Sequence, residues 1–108
     1  MGYTRRRAVL SEIERYCGIA LRAYRDCACA LKAGDAEHFA RSLALLRETA
    51  ERLDQLLRSA DTAEWLGVTE ASPLHRRTDS DALPDLMSAV AELSHRAEQE
   101  MAYLRQVV

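Results

Sequence analysis

Proline and glycine are scarce in this sequence, two and four in 108 residues, and neither a glycine-rich phosphate loop nor a glycine-flanked serine elbow occurs. That removes the usual signatures of nucleotide binding and of serine hydrolysis. No run of eighteen apolar residues occurs, so no membrane-spanning helix is expected. Met1 to Arg7 leads into Ser11, Glu12 and Glu14 rather than the apolar core of a secretion signal, which predicts a cytoplasmic location. Net positive charge is missing too: 15 Lys and Arg against 17 Asp and Glu give −2, leaving no global field to hold nucleic acid or an acidic membrane. The local exceptions, Arg5, Arg6, Arg7 and the pair Arg76 and Arg77, lack the aromatic platforms that RNA binding uses.

Cysteine is present but not as a staple. Cys17, Cys27 and Cys29 all fall in one predicted helix, where the first two lie about 15 Å apart, beyond disulfide reach. Cys27 and Cys29 sit about 200° apart around that helix, so they cannot share a metal ion. Cys17 and Cys27 are expected to be buried thiols, and Cys29, on the polar side, an exposed one.

What is abundant is Ala, Leu, Arg and Glu, residues that lose little side-chain freedom in a helix. With 48% apolar and 30% charged residues the chain lies outside the disordered regime. Its length suits a single domain, 1–108. From Leu10 the apolar positions Ile13, Cys17, Ala20, Tyr24, Cys27 and Leu31 follow a heptad seam. Val9, Tyr16, Ala23 and Ala30 flank it on one side, Leu21 and Ala28 on the other. Only a stripe of Ser11, Arg15, Gly18, Arg22, Arg25 and Lys32 is left for water. A helix this broadly apolar needs more than one neighbour.

Gly34 suits the left-handed position after a helix, and Asp35 the cap of the next. A second amphipathic helix follows, with Phe39, Leu43, Leu46, Ala50, Leu53 and Leu57 in its seam. Between Ser59 and Ser80 the periodicity fades. Asp61 to Gly67 suggests one short turn carrying Trp65 and Leu66 as an anchor, followed by loop chemistry from Thr69 to Asp81. A last helix begins near Pro84 and carries Leu86, Val90, Leu93, Ala97, Met101, Leu104 and Val108. The fold class is therefore all-α: an elongated antiparallel three-helix bundle or coiled coil, with helices at about 5–33, 36–59 and 82–107 and a long loop, 60–81, before the last helix. Three such helices leave part of the first helix's apolar face uncovered, predicting a homodimer or a groove for a partner helix. Val9, Tyr16, Ile19, Ala23 and Ala30 are the expected contacts on that face, the small residues permitting close approach.

Catalytic and cofactor chemistry is thin. His38, His75 and His95 are scattered, no His and Glu share a zinc-helix spacing, and no Glu-x-x-His recurs on two helices as a di-iron bundle requires, so neither metal nor cofactor is expected. A small helical mutase of the chorismate type needs arginines pointing into the bundle. Arg15, Arg22, Arg25, Arg47 and Arg52 fall on the polar sides of their helices, so the chain is not expected to be an enzyme.

The segment Leu31-Lys32-Ala33-Gly34-Asp35-Ala36-Glu37-His38-Phe39, continuing through Leu46-Arg47 to Leu53 and Leu57, resembles the helical hairpin of the flagellar type III export chaperones of the FlgN and FliT kinds. The resemblance covers most of the chain. It implies a cytoplasmic protein that binds helical terminal segments of filament-cap or hook-junction subunits, keeps them unassembled and delivers them for export. It also implies cargo and export-gate surfaces on the first helix and on the last, where Met101 and Leu104 are the expected contacts. The competing expectation is a self-associating structural or adaptor bundle with no cargo.

Overall fold

A computed structural model describes residues 2–58, Thr62, Glu64, Leu66, Leu74 and 82–107. Three long helices account for nearly all of them: α1 (Gly2–Ala33), α2 (Ala36–Leu57) and α3 (Leu83–Val107). The fold is all-α, as the seams predict. α1 begins three residues earlier and α2 ends two residues earlier than the pattern suggested.

The turn between α1 and α2 is decided by two residues. Gly34 adopts φ 69°, and the Gly34 and Asp35 amides donate to the carbonyls of Leu31 and Ala30 at 3.2 and 3.0 Å, which closes α1 in a Schellman motif. The Asp35 carboxylate then accepts from the His38 amide at 3.0 Å and caps α2, with Glu37 adding favourable charge in the first turn. One glycine and one aspartate thus fold the chain back on itself.

α2 and α3 each pack along α1 and scarcely touch each other. The ion pair between Arg6, near the start of α1, and Glu100, near the end of α3, sets α3 antiparallel to α1. A parallel α3 with the same pairing would run far beyond the start of α1 and exceed the molecule's 49 Å length, which one 32-residue helix already spans at about 1.5 Å per residue. Both outer helices therefore run opposite to α1 and in the same direction as each other. The connection from Arg58 to Ala82 is long for that reason: it has to carry the chain back up the bundle before α3 can start.

That connection belongs to the core where it is described. Thr62, Leu66 and Leu74 are buried, and both leucines join the cluster formed by Leu10, Ile13, Cys17, Ala20, Leu46, Ala50, Leu53, Leu86, Val90, Leu93, Ala97 and Leu104. The expectation of a plain loop over 60–81 is corrected at these positions. Leu66 is the expected anchor; Trp65, Gly67 and most of Thr69 to Asp81 lie outside the described residues. Two polar contacts pin the crossing. The Asp54 carboxylate on α2 accepts from the buried Leu74 amide at 2.7 Å, and the Arg96 guanidinium on α3 donates to the Leu66 carbonyl at 2.9 Å. Thr62, Glu64 and Leu66 are helical and Leu74 lies in a 3-10 turn, and these two side chains tie the backbone of the crossing to α2 and α3.

Candidate partner-binding surface

Among the described residues no group of three His, Cys, Asp or Glu could hold a metal ion, and no helix is long and apolar enough to cross a membrane. His38 is half-buried at the start of α2, His95 is exposed on α3, and His75 lies outside the described residues. Arg15, Arg22, Arg25, Arg47 and Arg52 are all exposed, as their helical positions predict. Cys17 and Cys27 are buried and Cys29 is exposed. Burial, reinforced by the Glu14 charge, pushes the Cys17 thiol up to about 12, and burial with Asp26 raises Cys27, so neither is a poised nucleophile.

The residues expected to form an open face divide into two groups. Val9, Tyr16 and Met101 are half-buried and packed against the core, and Ile19 is half-buried. Tyr16 is further screened by its neighbour Arg15, whose guanidinium lies 4.9 Å from the ring centroid and donates to the tyrosine hydroxyl at 3.2 Å. Ala23, Ala30 and Leu104 are enclosed, at 1%, 4% and 0% exposure. The expectation that these three line a docking face is corrected. The close approach that small side chains allow is used inside the bundle, where α2 and α3 pack on α1.

Apolar surface is open elsewhere. Leu31, placed in the α1 seam by its spacing, is 61% exposed. The register of α3 explains it. Leu83 precedes Glu100 by seventeen residues, so with Glu100 against Arg6 the start of α3 comes level with Ala23. Beyond Ala23, α1 continues for ten residues, about 15 Å, past the start of α3 and, among the described residues, beside α2. The flank of α1 that meets α3 at Arg6 repeats every eighteen residues, five full turns, which brings Tyr24 onto it, with Leu31 about 20° away. Tyr24 is half-buried and Leu31 exposed because the helix that covers this flank lower down does not reach them.

On α2 the corresponding flank is marked by Asp54, which faces the crossing at Leu74. Leu43 lies eleven residues earlier, three turns, on that same flank, and Phe39 follows one turn further back. Leu21, Tyr24, Ala28, Phe39 and Leu43 are half-buried, and together with exposed Leu31 they make an apolar lane at the hairpin end of the bundle. Its outer border on α1 carries Arg25 and Lys32, both exposed. Leu45, 45% exposed, is two residues and about 200° from Leu43, on the opposite side of α2.

Comparison with protein-family models, with curated proteins and with solved structures finds no match. The surface is therefore read on its own chemistry: an apolar strip three turns long, between two helices, edged by cations.

Sequence reasoning gave no weight to Asp54 and Arg96. A signal for Asp54 was available: it stands four residues after Ala50 and beside Leu53, so helical spacing carries a carboxylate to the edge of the apolar stripe. A carboxylate there needs a donor from another segment.

Proposed function

We propose that this protein is a cytoplasmic chaperone for helical segments of secreted subunits, of the flagellar or a related type III export system. It holds an amphipathic segment as an additional helix and so keeps the subunit unassembled. The reading is supported by the resemblance of the Leu31–Phe39 turn and its flanking helices to the export chaperones. The observation that carries it is the end of α1 that outruns α3, where Tyr24 and Leu31 lack the helix that covers the same flank lower down. Coupled folding fits this geometry: the cargo segment is disordered or aggregation-prone alone and becomes helical as its apolar stripe is buried. No catalytic step, cofactor or metal enters the mechanism, and the partner is a protein.

The test is co-expression with candidate cap and hook-junction subunits carrying their terminal helical segments. A stable one-to-one complex, lost in Leu31→Glu, is the expected result; subunits that polymerise equally well with and without this chain would reject the chaperone reading. Exposed Leu45 and Tyr103, which lie outside the lane, favour self-association as the second reading. Light scattering separates the two, since a dimer that never exchanges with a cargo segment supports the second.

A further inference from the structure

Charge is unevenly shared between the helices. α1 carries seven basic and three acidic residues, a net of +4, while the whole chain stands at −2, so everything outside α1 sums to −6. Five of the α1 cations, Arg7, Arg15, Arg22, Arg25 and Lys32, are exposed and fall within one sector about 100° wide on the side turned to water. Arg25 stands eighteen residues, five full turns, after Arg7, and Lys32 follows seven residues later; Arg15 and Arg22, seven apart, form a second row about 80° around the helix. The sector runs from Arg7 to Lys32, about 38 Å. Glu14, half-buried, and Asp26, exposed, lie at its two margins. Arg15 pairs with Glu12 at 3.1 Å, but among the described residues no carboxylate pairs with Arg7, Arg22, Arg25 or Lys32. Between the two rows lie the exposed small residues Ser11, Gly18 and Cys29. Gly18 is not required by the fold: it sits inside a regular helix, where glycine is less stable than alanine, and an added Cβ would meet nothing within 4 Å.

We infer that this cationic sector of α1 docks an acidic helix of a partner protein, lying along α1 with carboxylates over both rows and its backbone passing close to Gly18. Charge complementarity names the occupant, and spacing narrows it. A helix laid along α1 brings equivalent side chains round every seven residues, about 10.5 Å, which is the separation of Arg15 from Arg22 and of Arg25 from Lys32. A nucleic-acid strand presents a phosphate about every 3.4 Å and is held by a broad positive field and by aromatic stacking. The sector contains no aromatic residue, and the −6 on the rest of the chain opposes such a field. Exposed ion pairs are individually weak, so the attraction is the sum of several and is screened by salt. The docking depends neither on the hairpin-end lane nor on the chaperone role.

The test uses the full chain and two alanine-based synthetic helices about four heptads long, one with glutamates at heptad spacing and one with lysines in their place. Binding is read by fluorescence anisotropy. The glutamate helix is expected to bind about tenfold more tightly than the lysine helix at about 0.1 M salt, and the preference to collapse near 1 M, where the Debye length falls from about 10 Å to about 3 Å. The double variant Arg22→Glu, Arg25→Glu changes one exposed side chain in each row and is expected to abolish binding of the glutamate helix while keeping the helical signal. Gly18→Gln is expected to raise Tm, because the fold has room for the side chain and glutamine is the better helix former, yet to weaken binding about threefold by blocking the close approach. A sector that serves only as a solvated face would show the first effect and not the second. Equal affinity for the two helices, undiminished binding in either variant, or tighter binding of duplex DNA than of the glutamate helix overturns the inference. So does a dimer of this chain that Arg22→Glu, Arg25→Glu dissolves and the glutamate helix cannot displace, because acidic surface of a second copy then occupies the sector.

Discussion

Replacing Asp54 by alanine removes the acceptor for the Leu74 amide, a 2.7 Å hydrogen bond between α2 and the crossing segment in the buried part of the bundle. The alanine side chain has no acceptor, so the buried Leu74 N–H loses this partner. Hydrogen bonds to charged groups contribute about 1.5 to 3 kcal/mol, and an orphaned buried donor costs a similar amount, so the expected loss is about 2 kcal/mol. For a domain of this size that lowers Tm by about 8 °C, at roughly 4 °C per kcal/mol. Asp54→Asn keeps an oxygen to accept from the Leu74 amide and loses the charge assistance, about 1 kcal/mol. The order wild type, Asn, Ala is thus a sharper expectation than any single value. Urea unfolding followed by helical signal measures it, and hydrogen exchange at the Leu74 amide localises it: exchange there accelerates in Asp54→Ala more than at amides in the middle of α1. A variant within about 0.5 kcal/mol of wild type, with Leu74 exchange unchanged, would refute the claim that this carboxylate ties the crossing to α2.

Two further expectations concern the turn and the thiols. Gly34→Ala should destabilise by about 1 kcal/mol through the backbone alone, since φ is 69° and an added Cβ would meet nothing within 4 Å; Asp35→Ala should cost about as much by uncapping α2, and thermal unfolding reads both. A thiol reagent should modify native Cys29 quickly and Cys17 and Cys27 only on unfolding, which mass spectrometry of partly labelled protein checks. Because Cys17 keeps its proton up to about pH 12 in the folded chain while an ordinary thiol loses it near 9.0, the unfolded state binds fewer protons across that window. Folding stability therefore falls as pH rises from about 9 towards 12, and Cys17→Ala should show a shallower fall in the same range, measured by urea midpoints.

Much of this architecture is written locally. Ala- and Leu-rich seams with few helix breakers specify three helices, and Gly34 with Asp35 specifies the hairpin, because capping and left-handed backbone need only adjacent residues. The exposed stripe of Ser11, Arg15, Gly18, Arg22, Arg25 and Lys32 also follows from helical spacing alone. What periodicity does not contain is how far along a seam each partner helix extends. Leu10 and Leu31 occupy equivalent slots in one pattern, yet Leu10 is fully buried and Leu31 is 61% exposed. The difference lies in a register fixed by Arg6 and Glu100, ninety-four residues apart, and no local rule relates them. The enclosure of Ala23 and Ala30 and the burial of Leu66 and Leu74 likewise depend on packing between elements, which periodicity does not contain. A helix's own sequence determines which of its sides is apolar. Only the assembled bundle, with its same-direction outer helices and the crossing this forces, decides which stretch of that side is covered and which, like Leu31, is exposed.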